Sequence, residues 1–181
     1  NYMETLKEVA KKDFKRGVFL GAGPRLGSAR EGHLKLQELT DGKVVCIYDS
    51  FLGFRHGPKA VLDKTSLIVY LFSNDEHANK YEKDLVEEIH KRQDGLFRLG
   101  IGRKGFMKES VDLLIEIPRA NELDDTMLCL CSILPLQMLA FFKSIEVGLN
   151  ADTPSKSGNI SRVVQGVTIY SYNPINYVES V

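Results

Sequence analysis

The sequence contains no tryptophan, only three cysteines and six prolines in 181 residues, and its 24 basic and 24 acidic side chains cancel. The even charge balance excludes a global field that would recruit nucleic acid or an anionic membrane surface, so a small anion has to be held by local groups. An odd cysteine count does not make a closed disulfide framework, and Cys46, Cys129 and Cys131 all sit in apolar runs. Buried, reduced thiols in a cytoplasmic protein fit that placement. Cys129 and Cys131 are two apart on an expected helix, point to different faces and form no C-x-x-C site. His33, His77 and His90 lack the spacing to acids or cysteines that builds a metal site and read as structural or surface residues; no metal or redox cofactor is expected.

No apolar run is long enough to span a bilayer. The longest, Met127 to Phe142, is interrupted by Ser132, Pro135 and Gln137 and reads as a buried or subunit-facing helix. Asp124 and Asp125 suit the positive end of its dipole, and Pro135 is expected to kink the helix or divide it in two. There is no internal repeat or low-complexity tract. A start at Asn1, without an initiator Met or a signal-like segment, is expected of a fragment.

What is present is an alternation of apolar strands and helices. Tyr2 to Asp13 is expected to be helical. Gly17 to Leu20 reads as a buried strand entering the turn Gly21-Ala22-Gly23, after which Pro24 opens a helix to about Thr40. Four more strands are expected at Val44 to Tyr48, Ser66 to Phe72, Leu96 to Ile101 and Val111 to Ile117. Between them the clearest helix is Glu76 to Lys91, where Tyr81, Leu85 and Ile89 recur every four residues. Near-continuous apolar strands joined by helices predict a five-stranded parallel sheet in a three-layer α/β/α, flavodoxin-like domain. That domain is expected over residues 1–150. Residues 151–181 open with a turn-rich linker, Asp152 to Asn159, lead into Val163 to Tyr172, and are expected to wrap the domain or a partner.

Ligands of such sheets bind beyond the carboxyl ends of the strands, which puts Gly21 to Gly27, Asp49 to Pro58 and Ser73 to Asp75 on the functional rim. The turn Gly21-Ala22-Gly23-Pro24-Arg25-Leu26-Gly27 is a candidate phosphate cradle, because glycines admit close backbone approach at a helix N-terminus. A tight turn with no ligand has the same pattern. It is also one residue off the dinucleotide fingerprint, with Asp49 as a possible ribose-binding acid, so a nicotinamide-binding oxidoreductase stays open. Arg25, Arg30 and Arg55 are candidate phosphate contacts, each an ordinary surface arginine when taken alone.

The stretch Glu31-Gly32-His33-Leu34-Lys35-Leu36-Gln37-Glu38, followed by Phe54-Arg55-His56-Gly57-Pro58, brings a carboxylate, an amine and an imidazole to one expected βα crevice. At about 100° per residue Glu31, Lys35 and Glu38 share a stripe, with Leu26, Ala29, Leu34 and Leu36 on the opposite arc. Glu38 is a candidate general base, and His56 a candidate acid or base arriving from the next loop. A solvated i, i+4 charge pair and a surface histidine explain the same residues without chemistry.

Together, Leu20-Gly21-Ala22-Gly23 and these two stretches resemble the sugar isomerase (SIS) domain pattern, specifically its second copy in two-domain phosphosugar enzymes. The resemblance covers nearly the whole chain. The Glu-Gly-x-Leu-Lys-Leu-x-Glu helix and the His-Gly-Pro that follows are similar to the isomerase half of glucosamine-6-phosphate synthase. Leu52 to Pro58 and the ending Arg162 to Tyr170 are most similar to the tagatose-6-phosphate ketose/aldose isomerase family, linked to galactosamine catabolism.

The resemblance implies that Glu38 shuttles a proton between C1 and C2, that Lys35 is a nearby active-site lysine and that His56 opens the sugar ring. In the synthase that histidine reaches into a neighbouring subunit's site, which implies a homo-oligomer. The sequence also departs from the pattern. The family's Ser/Thr-rich phosphate loop belongs to the first SIS copy and has no counterpart at Gly21 to Gly27. Gln165 aligns approximately with a synthase lysine, and two extra residues separate Glu38 from His56.

The leading expectation is a cytoplasmic phosphosugar aldose/ketose isomerase, deaminating or not, acting on a sugar phosphate. Glu38, His56 and Lys35 would be catalytic, and Gly21, Gly23, Arg25 and Arg55 would bind substrate. The alternative is a non-catalytic module that binds sugar phosphates or provides a dimer interface. Neither reading calls for nucleic acid or membrane as a partner.

Overall fold

Five parallel strands form the centre of the chain, in a computed structural model that describes residues 2–158, 160 and 166–171. The elements in chain order are α1 (Met3–Lys11), β1 (Arg16–Gly21), α2 (Arg25–Leu39), β2 (Val45–Asp49), α3 (Phe51–Phe54), β3 (Ser66–Leu71), α4 (Glu76–Arg92), β4 (Phe97–Gly102), β5 (Leu113–Glu116) and α5 (Asp125–Glu146). The strand order is β2-β1-β3-β4-β5, with every pairing parallel. This is the expected doubly wound, three-layer sheet, and its order reverses between β1 and β3.

The two faces follow from the period of two along each strand. Phe19, Leu67, Val69, Leu71, Leu99 and Ile101 face the layer of α1, α2 and α5. Val18, Leu20, Ile68, Tyr70, Phe72 and Leu114 face the layer of α3 and α4. β3 is buried along its whole length, as the central strand of a sheet covered on both sides must be.

Several local expectations are corrected. Leu34 does not join the apolar arc of α2 and is 47% exposed, whereas Arg25, Ser28, Ala29, Gly32 and Leu36 are buried. On α4 it is Glu82, not Tyr81, that joins Leu85, Val86 and Ile89 inside; Tyr81 is exposed. Pro135 does not divide α5, which runs through it for 22 residues. The proline costs the hydrogen bond to the carbonyl of Cys131, an exposed residue whose carbonyl water can serve. Of the three thiols only Cys46 is buried, with its pKa pushed up to about 12 by that burial, while Cys131 is exposed.

At 22 residues α5 is also long and apolar enough to cross a membrane by length and composition, contrary to the expectation from the short, interrupted run Met127 to Phe142. In this fold one face of it packs inward, through Leu128, Leu136, Leu139 and Ala140.

Glycine sets how closely α2 approaches its neighbours. A Cβ on Gly32 would stand 2.9 Å from both Leu136 Cδ1 of α5 and Phe19 Cδ1 of β1. Gly32 therefore lets α2 settle between sheet and α5, and α2 carries Lys35 and Glu38 one and two turns further on.

Candidate active site

The last turns of α2 hold the first candidate group. Lys35 Nζ donates to Glu38 Oε2 at 2.9 Å, and both side chains are about one-third exposed. That hydrogen bond holds the Lys35 ammonium above its usual range, against the opposing effect of partial burial. The helix end is fixed from beneath: Gln37 Oε1 accepts the Cys46 N–H at 2.9 Å, and Thr40 Oγ1 accepts the Val44 N–H at 3.3 Å. These bonds tie the end of α2 to the start of β2.

Lys35, Glu38 and Leu39 form one wall of a cleft of about 880 Å³. Ala151, Asp152, Thr153, Pro154, Ser155 and Ile160 form the other wall. The tail is anchored there by Ser157, whose N–H and Oγ donate to Asp41 at 3.0 and 2.8 Å. The structure thus places a paired acid and amine, half-withdrawn from water, beside a strap of backbone. Gln165 lies outside the described residues, as do Val163, Val164 and Tyr172.

His56 is elsewhere. It follows β2 and α3, just before the 3₁₀ turn Pro58–Val61, and is exposed. β2 runs from the end of α2, near Glu38, to Asp49, so His56 emerges at the carboxyl edge of the sheet while Glu38 sits at the amino edge. The expectation of one βα crevice holding all three groups is corrected: within one chain they occupy opposite edges. Sequence order concealed this because a crossover helix and its following strand traverse the sheet in opposite directions.

The candidate phosphate contacts are also redistributed. Arg25 is fully buried; its Nη1 donates to Ser132 Oγ at 2.7 Å and its Nη2 to the Ile101 carbonyl at 3.5 Å. It ties α2 to α5 and β4, and its expected substrate contact is corrected on that ground. Burial lowers its pKa, opposed by nearby Cys129, Asp125 and Glu82. Arg55 pairs with Glu88 of α4 at 3.2 Å, and Lys59 binds the other oxygen of the same carboxylate.

Gly21 is a glycine because a Cβ there would lie 2.5 Å from the Arg25 carbonyl oxygen. Gly23 lines a crevice of about 410 Å³ with Ser50, Leu52, Asp75, Tyr81 and Glu82 at the strand-order reversal, and no Lys or Arg lines it. Lined by His77 but by no lysine or arginine, and with Asp75 and Glu82 beside it, this rim is a poor phosphate cradle. Asp49, the possible ribose acid, accepts the Ser50 N–H at 2.7 Å at the start of α3.

One polar group at that crevice escaped sequence reasoning. Glu82 is 1% exposed and accepts from the Ser73 N–H and from Asn79 Nδ2. Burial pushes its carboxyl up to about 7, against the lowering effect of those hydrogen bonds. The available signal was its spacing, three and seven residues before Leu85 and Ile89. Among the described residues no three His, Cys, Asp or Glu side chains converge as a metal site.

No protein-family model matches the chain. It is 36% identical over 159 residues to the D-galactosamine-6-phosphate deaminase AgaS of Escherichia coli O157:H7, covering 88% of this chain and 41% of that protein. Its fold superposes with TM-score 0.86 on a Clostridium novyi NT protein provisionally assigned as a tagatose-6-phosphate ketose/aldose isomerase, at 41% identity. That match covers 95% of this chain and 45% of the other. The chain is a SIS-domain homologue of these proteins.

The tagatose-6-phosphate ketose/aldose isomerase of Escherichia coli gives a TM-score of 0.78 at 29% identity, over 94% of this SIS chain and 44% of that one. The SIS chain spans about two-fifths of the length of the curated relative it matches.

Proposed function

We propose that this chain is the carboxyl-terminal SIS domain of a phosphosugar aldose/ketose isomerase that deaminates galactosamine 6-phosphate to tagatose 6-phosphate. The observation that carries this reading is the Lys35–Glu38 pair on the wall of the tail-covered cleft. The names of the relatives supply the substrate class and the deamination.

Glu38 takes the C2 proton of the ring-opened amino sugar and returns it to C1, converting the aldehyde and amine through an enolamine to a ketose imine. Water adds to the imine, and ammonia leaves. Lys35 holds the carboxylate in place and offsets negative charge on the intermediate, so positioning and proton transfer supply the rate. His56 protonates the ring oxygen during opening. Because it stands at the far edge of its own sheet, it serves the cleft of another copy, and the working unit is a cytoplasmic homo-oligomer. Residues 1–150 form the domain and 151–181 a tail that wraps the domain or a partner, with no cofactor and no nucleic-acid or membrane partner.

The test is turnover of galactosamine 6-phosphate by the native protein that carries this chain, following ammonia and ketose together. Glu38→Gln should lower turnover by about 10²–10⁴-fold while substrate still binds, the usual value of a positioned acid or base. Unchanged turnover in a folded variant would overturn the assignment and leave a sugar-phosphate-binding module.

A further inference from the structure

His56 stands on a loop that the hydrophobic core does not hold. Phe54 before it is fully buried, and Val61 after it packs on the same apolar cluster as Phe51 and Phe54. Between those two residues nothing is buried, and His56, Gly57 and Pro58 are all exposed. The backbone bonds of the span are local: the His56 N–H donates to the Gly53 carbonyl at 3.3 Å and the Ala60 N–H to the Gly57 carbonyl at 3.1 Å. They bend the loop without attaching it to another element.

The attachment comes from two cations and one acid. Between Phe54 and Val61 only Arg55 and Lys59 are partly withdrawn from water, and both go to Glu88 of α4. Arg55 Nη2 lies 3.2 Å from Glu88 Oε2, and Lys59 Nζ donates to Glu88 Oε1. The two anchors are one residue before His56 and three after it. Glu88 itself adjoins Ile89 and lies one turn beyond Leu85, both buried, within a 17-residue helix, so its carboxylate is a fixed post. The hydrogen bond from Lys59 holds that carboxyl below its usual range against partial burial, helped by the charges of Lys59, Arg55 and Arg92.

An ion pair of this exposure adds little to stability. Its consequence is geometric: two bonds to one carboxylate fix the spacing of residues 55 and 59 and the direction of the turn between them. Reacting groups are sensitive to such placement, since a displacement of about 1 Å can cost about 10²-fold in rate.

We propose that Glu88 is the positioning residue for His56, holding Arg55 and Lys59 on its two oxygens so that the loop presents the imidazole to the sugar ring. This rests on the catalytic reading of His56. In the native protein that carries this chain, Glu88→Gln removes the charge and offers an oxygen to only one of the two cations. Its kcat for galactosamine 6-phosphate should fall by about 10–100-fold with KM changed less than about two-fold, because no substrate-binding group is touched. Lys59→Met, a change outside α4, should show the same pattern to a smaller degree.

The deciding measurement repeats Glu88→Gln in a His56→Ala background. An effect that acts through the imidazole disappears with it, so the slow residual turnover of His56→Ala should fall by less than about two-fold further. A general structural role would lower both backgrounds alike. Full turnover by Glu88→Gln, or an equal loss in both backgrounds, would overturn the proposal while leaving His56 its role. Wild-type turnover by His56→Ala alone would instead overturn the reading of His56, and the proposal with it.

Discussion

The carboxyl of Glu82, buried beneath the β3–α4 loop, accepts the backbone N–H of Ser73 at 3.1 and 3.3 Å through its two oxygens. Folding thereby moves an acid with an ordinary value of 4.5 to about 7, chiefly by desolvation. Between those values the folded chain binds the proton more tightly than the unfolded chain does. Stability is therefore fully present below pH 4.5 and is lost as pH rises through 7.

Glu82→Gln imitates the protonated acid. The expected outcome is that wild-type stability falls by about 2 kcal/mol between pH 5 and 8, at no more than about 1.4 kcal/mol per pH unit, while the variant stays nearly flat. Urea titrations at several pH values read this directly. Parallel slopes for the two proteins would show that Glu82 is already charged in the fold.

Gly32→Ala sets two effects against each other. Alanine favours the helix by about 0.5–1 kcal/mol, but its methyl would press on Leu136 and Phe19. Overpacking a filled core costs about 1–3 kcal/mol, so the variant should be less stable by about 1–2 kcal/mol. A rise in melting temperature would mean that α2 shifts freely against α5, and would weaken the case that Gly32 positions Lys35 and Glu38.

Tyr70→Phe should be neutral or stabilising. The Tyr70 hydroxyl is fully buried and has no hydrogen-bond partner among the described residues, and its ring lies 6.1 Å from that of Phe51 and 5.9 Å from that of Phe72. An unsatisfied buried hydroxyl costs about 1–3 kcal/mol, and phenylalanine keeps the stack. Thermal melts decide the point; a drop of several degrees would reveal a partner for the hydroxyl.

Lys143→Met should be costly although the replacement is apolar. Lys143 Nζ donates to the Ala10 and Lys12 carbonyls at 3.1 and 2.6 Å and lies 4.1 Å from the centre of the Phe14 ring. Its removal strands carbonyls at the end of α1, for an expected loss of about 1–3 kcal/mol in denaturant unfolding.

Complementation tests the division of the catalytic groups between copies. Native protein carrying Glu38→Gln and native protein carrying His56→Ala should each be inactive. Mixed after unfolding and refolding together, they should recover about a quarter of wild-type turnover, as random pairing of a two-fold dimer gives. No recovery with confirmed mixed dimers would place both groups in one chain's cleft.

Local order was legible because it depends on local rules. The five strands and the α2 and α4 helices lie within a few residues of their expected limits, since apolar runs and helical periodicity are short-range patterns. The acid and amine of α2 were legible for the same reason: three residues apart on a helix, Lys35 and Glu38 meet whatever the rest of the chain does. Leu34, Tyr81 and Glu82 were not legible. Their burial is set by which neighbouring helix covers them, and hydrophobic type alone carries no such information.

By itself the sequence determined a parallel α/β sheet, the α2 pair, and a chain whose formal charges cancel. Only the tertiary structure decided that Arg25 is a buried tie between layers and that Glu82 is a desolvated acid. It alone put Glu38 and His56 at opposite edges of the sheet and left one stripe of α5 facing outward. The physical reason is direction: spacing along a chain fixes which side of a helix or strand a residue occupies. The handedness of the crossovers and the order of the strands fix which edge of the sheet it reaches.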